Sequence, residues 1–389
     1  MKKYVGLFVF IVLLTVPAFA EDAKESFDIV DEYIKIYGEE IQSGINGTGG
    51  KYLSQAFPGF SVEKILSKVS RGENVFSISG ILSQLFGLLF GEIKKTLRLL
   101  LVIPSIVVLN TYLSGMQNSF HRKGAIQAAF FICYAIMVGV AATAFVETVK
   151  SGQAIIENVS VFMRVLIPVS LASLASSGAV ISATTFEIVL MSVIEITQLA
   201  VEKLFIPLVM VATALNIANN ISSTLNAEKL VQLINKAVKW GLGAMLTLFV
   251  GITGLQGIAA GSADGLTVKV TKFAASNLIP MVGGILAETV ETVMNCSVVI
   301  KNAVGVVGII AVILIAVVPI VKVTACLILF RLCAAIIQPI SDERWVKCIT
   351  EFGNSISSVL AMAVAVVVMF VIILTIIINI GNSAILFGR

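Results

Sequence analysis

The 389-residue chain is poor in charge: Asp, Glu, Lys and Arg make up 13% of it against 58% hydrophobic residues, about half the charged share of an ordinary soluble domain. It holds one histidine, His121, followed directly by Arg122 and Lys123. One imidazole among cations excludes a multi-histidine metal site and a buried acid–base dyad, and reads as a solvated rim residue. The five cysteines, Cys133, Cys296, Cys326, Cys333 and Cys348, form no Cys-x-x-Cys pair and read as small buried hydrophobes. There is no Walker A loop, no Gly-x-Ser-x-Gly elbow and no dinucleotide fingerprint. The expectation is a protein that is not an enzyme and carries no cofactor and no metal. A net charge of +4 is too small to suggest nucleic-acid binding.

What is present is apolar length. Mean hydropathy is +1.01, and a single aqueous core stops growing near about 250 to 300 residues, so lipid is the solvent for most of the chain. The expected fold is all-α: a polytopic integral membrane protein of six to eight spans, seven included, with a signal peptide and a small extracytoplasmic helical N-terminal region. Residues 1–20 show Lys2 and Lys3, an apolar stretch and Ala18-Phe19-Ala20, the layout of a cleavable secretory signal. An uncleaved first span is the alternative, though the stretch is short for it. Residues 21–75 hold 16 charges in 55 positions and read as a water-facing segment outside the cytoplasm. Within it Phe27, Val30, Ile34, Tyr37 and Ile41 share one helical stripe. A second helix from Ser61 is expected to bury Val62, Ile65, Leu66 and Val69. Residues 76–96 read as an interfacial amphipathic helix leading into the multi-span domain, 97–389.

Apolar windows run over about 99–116, 125–146, 165–183, 204–217, 241–261, 303–321, 323–337 and 359–380. The positive-inside rule arbitrates among topologies. With the window at Val165 re-entrant, six spans place Lys229, Lys236, Lys239, Arg331, Arg344 and Lys347 in the cytoplasm. With that window crossing, seven spans satisfy hydropathy better but put the first three lysines outside. A repeat offset by 112 residues, about 122–217 on 236–328, pairs Pro168 with Pro280 and Pro207 with Pro319. These four prolines are expected to break helices, a habit of transporter repeats.

The most unusual polar feature is Glu187, Glu195, Gln198 and Glu202 among apolar neighbours, all within roughly 80° of one another on a helix. Carboxylates at membrane depth line a path for ions or solute, or pair with a cation, for which Arg164 or Lys203 would serve. The other arrangement is an amphipathic helix at the outer interface with its carboxylates in water. Gly254, Gly257, Gly261, Gly305 and Gly308 suit close helix packing.

The run Leu-Gln-Gly-Ile-Ala-Ala-Gly-Ser-Ala-Asp-Gly from Leu255 to Gly265 carries a resemblance, together with Lys272-Phe273, Asn277-Leu278-Ile279-Pro280, Lys301-Asn302-Ala303-Val304-Gly305 and Gln338-Pro339. The chain resembles the stage III sporulation protein AE family of endospore-forming bacteria. The resemblance implies a multi-pass, permease-like protein of the mother-cell membrane around the forespore, its N-terminus extracytoplasmic. It also implies partners, namely other stage III sporulation proteins of one channel or feeding assembly, and an oligomeric state in the bilayer. That assembly keeps the forespore developing after engulfment. A free-standing secondary transporter of a small solute or ion is the alternative. The resemblance assigns no residue a role.

Overall fold

A computed structural model describes residues 38–39, 41–45, 61–62, 65, 67–68, 78–115, 123–221, 227–278 and 283–388. The expected signal peptide, most of the 21–75 segment, His121, Arg122 and Pro280 lie outside the described residues. Every described element is helical. The order is α1 (Ile78–Gly115), α2 (Lys123–Ser176), α3 (Val180–Leu199), a π-helical turn (Ala200–Phe205), α4 (Ile206–Ile221), α5 (Glu228–Leu278), α6 (Gly283–Ile337) and α7 (Glu343–Gly388). The run Val364 to Ile380 is rich in Val and Ile, which are mediocre helix formers. It is helical nonetheless, because in lipid each backbone N–H and C=O must be satisfied within its own segment.

Among the described residues the eight apolar windows fall on six helices long and apolar enough to cross a membrane: Phe86–Gly115, Ala128–Ser176, Val180–Asn220, Glu228–Gly257, Cys296–Ile337 and Glu343–Ile380. The window expected at 165–183 is not one segment. Its first part ends α2 and its last part begins α3, and the corner between them turns on Gly178, whose φ is 92°. Left-handed backbone of this kind is a glycine conformation, and it closes a helix C-terminus. Here the N–H of Ala179 donates to the Leu174 carbonyl at 3.3 Å and that of Gly178 to Ala175 at 3.0 Å. Residues 76–96 likewise do not form a separate helix within the described residues, since α1 runs unbroken from Ile78 into the first candidate span.

The expected helix breaks also need correction. α2 continues through Pro168 and α6 through Pro319. In a helix packed on its neighbours, the loss of one backbone hydrogen bond is tolerated. Pro207 is different. It follows the π-helical turn, in which the Ile206 N–H reaches the Val201 carbonyl. One extra residue in that turn shifts the hydrogen-bond register just before the proline, which has no N–H to offer.

α6 and α7 form the centre: 67% and 61% of their spanning windows are buried, against 17% to 33% for the other four. They pack on each other, with α2, α1 and α5 around α6. Glycines permit the closest approaches. A methyl at Gly305 would collide with Ile378, and one at Gly308 with Leu166, whereas Gly254 faces open space. At one end of the body the Thr111 hydroxyl donates to the Ile340 carbonyl at 3.2 Å. Near that same end α4 is tied to α7 through Thr213–Ser355 at 2.6 Å and Asn216–Glu351 at 2.7 Å. Near the corner end, the described apolar side chains of the N-terminal segment, Ile41, Ile45, Val62 and Ile65, are buried in the common core. Gly44 there abuts Val165 of α2.

Candidate functional site

Arg164 on α2 meets the acidic stripe. Its Nη2 lies 3.2 Å from Oε1 of Glu195 on α3 and donates to Oε1 of Gln198. The Gln198 amide in turn donates to Oε1 of Glu202 at 3.0 Å, within the π-helical turn. Four of the five sequence-derived site residues therefore form one network, because positions 195, 198 and 202 share a helix face and that face is turned to α2. Glu187 lies two turns before Glu195, exposed and outside it. Lys203, the other candidate cation, is exposed.

The network is half wet. The Arg164 side chain is 33% exposed and that of Glu195 65%, so the ion pair contributes at most about 1 kcal/mol where water reaches it. Arg164 Nε, by contrast, is buried and has no hydrogen-bond partner. It is a donor of the guanidinium left unsatisfied at the buried edge of the network. The π turn adds a local irregularity of a kind frequent at functional sites. Its Phe205 packs over Gly241 of α5, where a methyl would collide with the ring.

Two buried charges escaped sequence reasoning. Asp264 on α5 is fully buried, and its two carboxylate oxygens accept the Ile181 and Ser182 N–H groups of α3 at 2.9 and 3.1 Å. It thus caps the N-terminus of a different helix, satisfying donors that α3 cannot pair itself. Gln256, two turns earlier, donates to the Thr185 carbonyl at 2.9 Å. Lys301 on α6 is 1% exposed and donates to the Ile378 carbonyl at 2.6 Å. The available signal was each charge's isolation at the edge of an apolar window, but its partner lies on another helix. Cys133, Cys326, Cys333 and Cys348 are buried and all five cysteines are free thiols. Among the described residues no three His, Cys, Asp or Glu side chains are placed to hold a metal ion.

A family model, stage III sporulation protein AE, matches residues 60–381, which takes in all six candidate spans among the described residues. The chain belongs to the stage III sporulation protein AE family. It is 29% identical over 317 residues to stage III sporulation protein AE of Bacillus subtilis (strain 168), covering 82% of this chain and 79% of that one. No solved structure matches it. Family membership gives this six-helix membrane body a role in sporulation.

Proposed function

We propose that the chain is a non-enzymatic, permease-like membrane component of the assembly that joins mother cell and forespore and sustains development after engulfment. The observation carrying this reading is the family match across the whole helical body, not across one motif. Its partners are other stage III sporulation proteins, and it works as an oligomer in the mother-cell membrane. The end of the body bearing Lys229, Arg344 and Lys347 faces the cytoplasm, in keeping with the positive-inside rule. The N-terminal segment then lies in the space between the two membranes. The two hairpins, α2 with α3–α4 and α5 with α6, descend from one duplicated unit. In support, each pairs a long helix with a returning helix that carries Pro207 or Pro319.

The Arg164–Glu195–Gln198–Glu202 network is read as the polar path of this component. Deleting the gene should arrest spore development after engulfment, and the wild-type gene should restore it. Glu195→Gln at normal protein level should fail to restore it, lowering spore yield at least about tenfold; full complementation would remove the path. The same network also favours a second reading, a free-standing secondary transporter. That reading expects an uptake defect in growing cells and no arrest.

A further inference from the structure

A cleft of about 780 Å³ opens between α1, α2 and α6, away from the Arg164 network and sharing no residue with it. Its charged lining is balanced: Glu92 and Lys95 from α1, Glu147 from α2 and Lys322 from α6. The α1 pair neutralises itself, with Lys95 Nζ 2.7 Å from Glu92 Oε1. Glu147 and Lys322 do not. Both are exposed, and among the described residues neither has an ion-pair partner within 4.0 Å. Their positions are set by a tight contact between their helices, the Thr148 hydroxyl on the Cys326 sulfur at 3.0 Å. Glu147 adjoins one member of that contact, and Lys322 lies one turn from the other.

The neutral lining has a bias as well. The hydroxyls of Thr96, Thr143 and Ser151 each donate to a carbonyl of their own helix, at 3.0, 2.8 and 2.9 Å. What these hydroxyls retain is lone pairs, which accept. An ammonium group brings three N–H donors and suits this acceptor-rich wall with the Glu147 carboxylate. An acidic oxygen suits Lys322, with the Asn158 amide as a further donor. Val102, Val140 and Val318 supply the apolar part of the lining, against which the carbon skeleton of a ligand can lie. A ligand with a single charge would leave one of these two cleft charges unmatched.

The geometry points to a binding site for a small zwitterion, its ammonium on Glu147 and its acidic group on Lys322. Free amino acids and the phosphoethanolamine headgroup of a lipid share this chemistry. The test uses the purified full-length protein in detergent, titrated by calorimetry with glycine and with phosphoethanolamine, and with ethylamine and acetate as single-charge controls. At least one zwitterion should bind tenfold or more tightly than both controls. Preference for phosphoethanolamine assigns the source to lipid, and preference for glycine to a free solute; either supports the site. Glu147→Gln and Lys322→Met should each weaken zwitterion binding at least tenfold, while Glu147→Asp, which keeps the carboxylate, should stay within about threefold of wild type. Equal binding of zwitterions and controls, no binding of either zwitterion, or wild-type affinity in both charge-removing variants would overturn the proposal. Measurement on the unmodified protein decides the first two outcomes even where a variant fails to fold.

Discussion

Asp264 shows how much a single side chain can carry in this fold. Among the described residues no cation pairs with it, and its carboxylate is held by two backbone N–H groups at the start of α3. Hydrogen bonds to a charged group are worth about 1.5–3 kcal/mol each, and removing the acceptor strands two buried donors. Asp264→Ala should therefore destabilise the protein by about 3 kcal/mol, read as a clear fall in melting temperature in detergent. Glu187→Ala, at an exposed position on the same helix α3, should melt within about 0.5 kcal/mol of wild type. Equal melting of the two variants would show that the cap does not bear on stability. The acidic stripe was legible at this scale because its period of three and four is a property of the sequence alone. Asp264 was not, since its partners lie 82 and 83 residues away.

At the scale of elements, glycines separate three physical roles. Gly178 holds the α2–α3 corner at positive φ; an alanine there would carry about 1–3 kcal/mol of backbone strain. Gly305 lies against Ile378, so Gly305→Ala forces the α6–α7 packing apart and should cost about 1–3 kcal/mol. Gly254 sits in α5 with nothing near its missing side chain. Gly254→Ala should leave stability unchanged or raise it by about 0.5–1 kcal/mol, because alanine is the better helix former. In one detergent Gly254→Ala should melt highest of the three variants, with Gly178→Ala and Gly305→Ala both below wild type. Sequence grouped Gly254, Gly257, Gly261, Gly305 and Gly308 as packing glycines. Only the facing helix distinguishes Gly254 from Gly257, Gly305 and Gly308, and only the structure distinguishes the continuous prolines of α2 and α6 from Pro207 beside its π turn.

At the scale of the whole molecule, the helices exceed the bilayer. The 54 residues of α2 extend roughly 80 Å at about 1.5 Å per residue, against a hydrocarbon thickness of about 30 Å. A polar stretch, Glu147 to Ser160, divides α2 into two apolar parts, which is why it reads as two windows in the sequence and is one helix in the fold. Topology follows from the ends. Thr213 and Asn216 near the end of α4 bond to α7 close to its start, and the α6–α7 corner lies at that same end. Reporter fusions after Ile217 and after Ile337 should therefore report the same side, the cytoplasm. An extracytoplasmic report from the Ile217 fusion would restore the seven-span alternative.

By itself the sequence determined the solvent, the class and the family. Long apolar windows admit only helices in lipid, and a resemblance in the Leu255–Gly265 and Lys301–Gly305 runs was readable residue by residue. The acidic stripe was also legible, together with the arginine that could meet it. Tertiary structure alone decided that the eight windows fall on six candidate spans among the described residues, that Gly178 is the corner between two of them, and that Arg164 rather than Lys203 reaches Glu195. It also brought Asp264 to α3, Lys301 to α7, and Glu147 and Lys322 to one cleft. Periodicity is local and survives in one dimension. Contacts between helices depend on register and rotation, which are fixed only when all the faces pack at once.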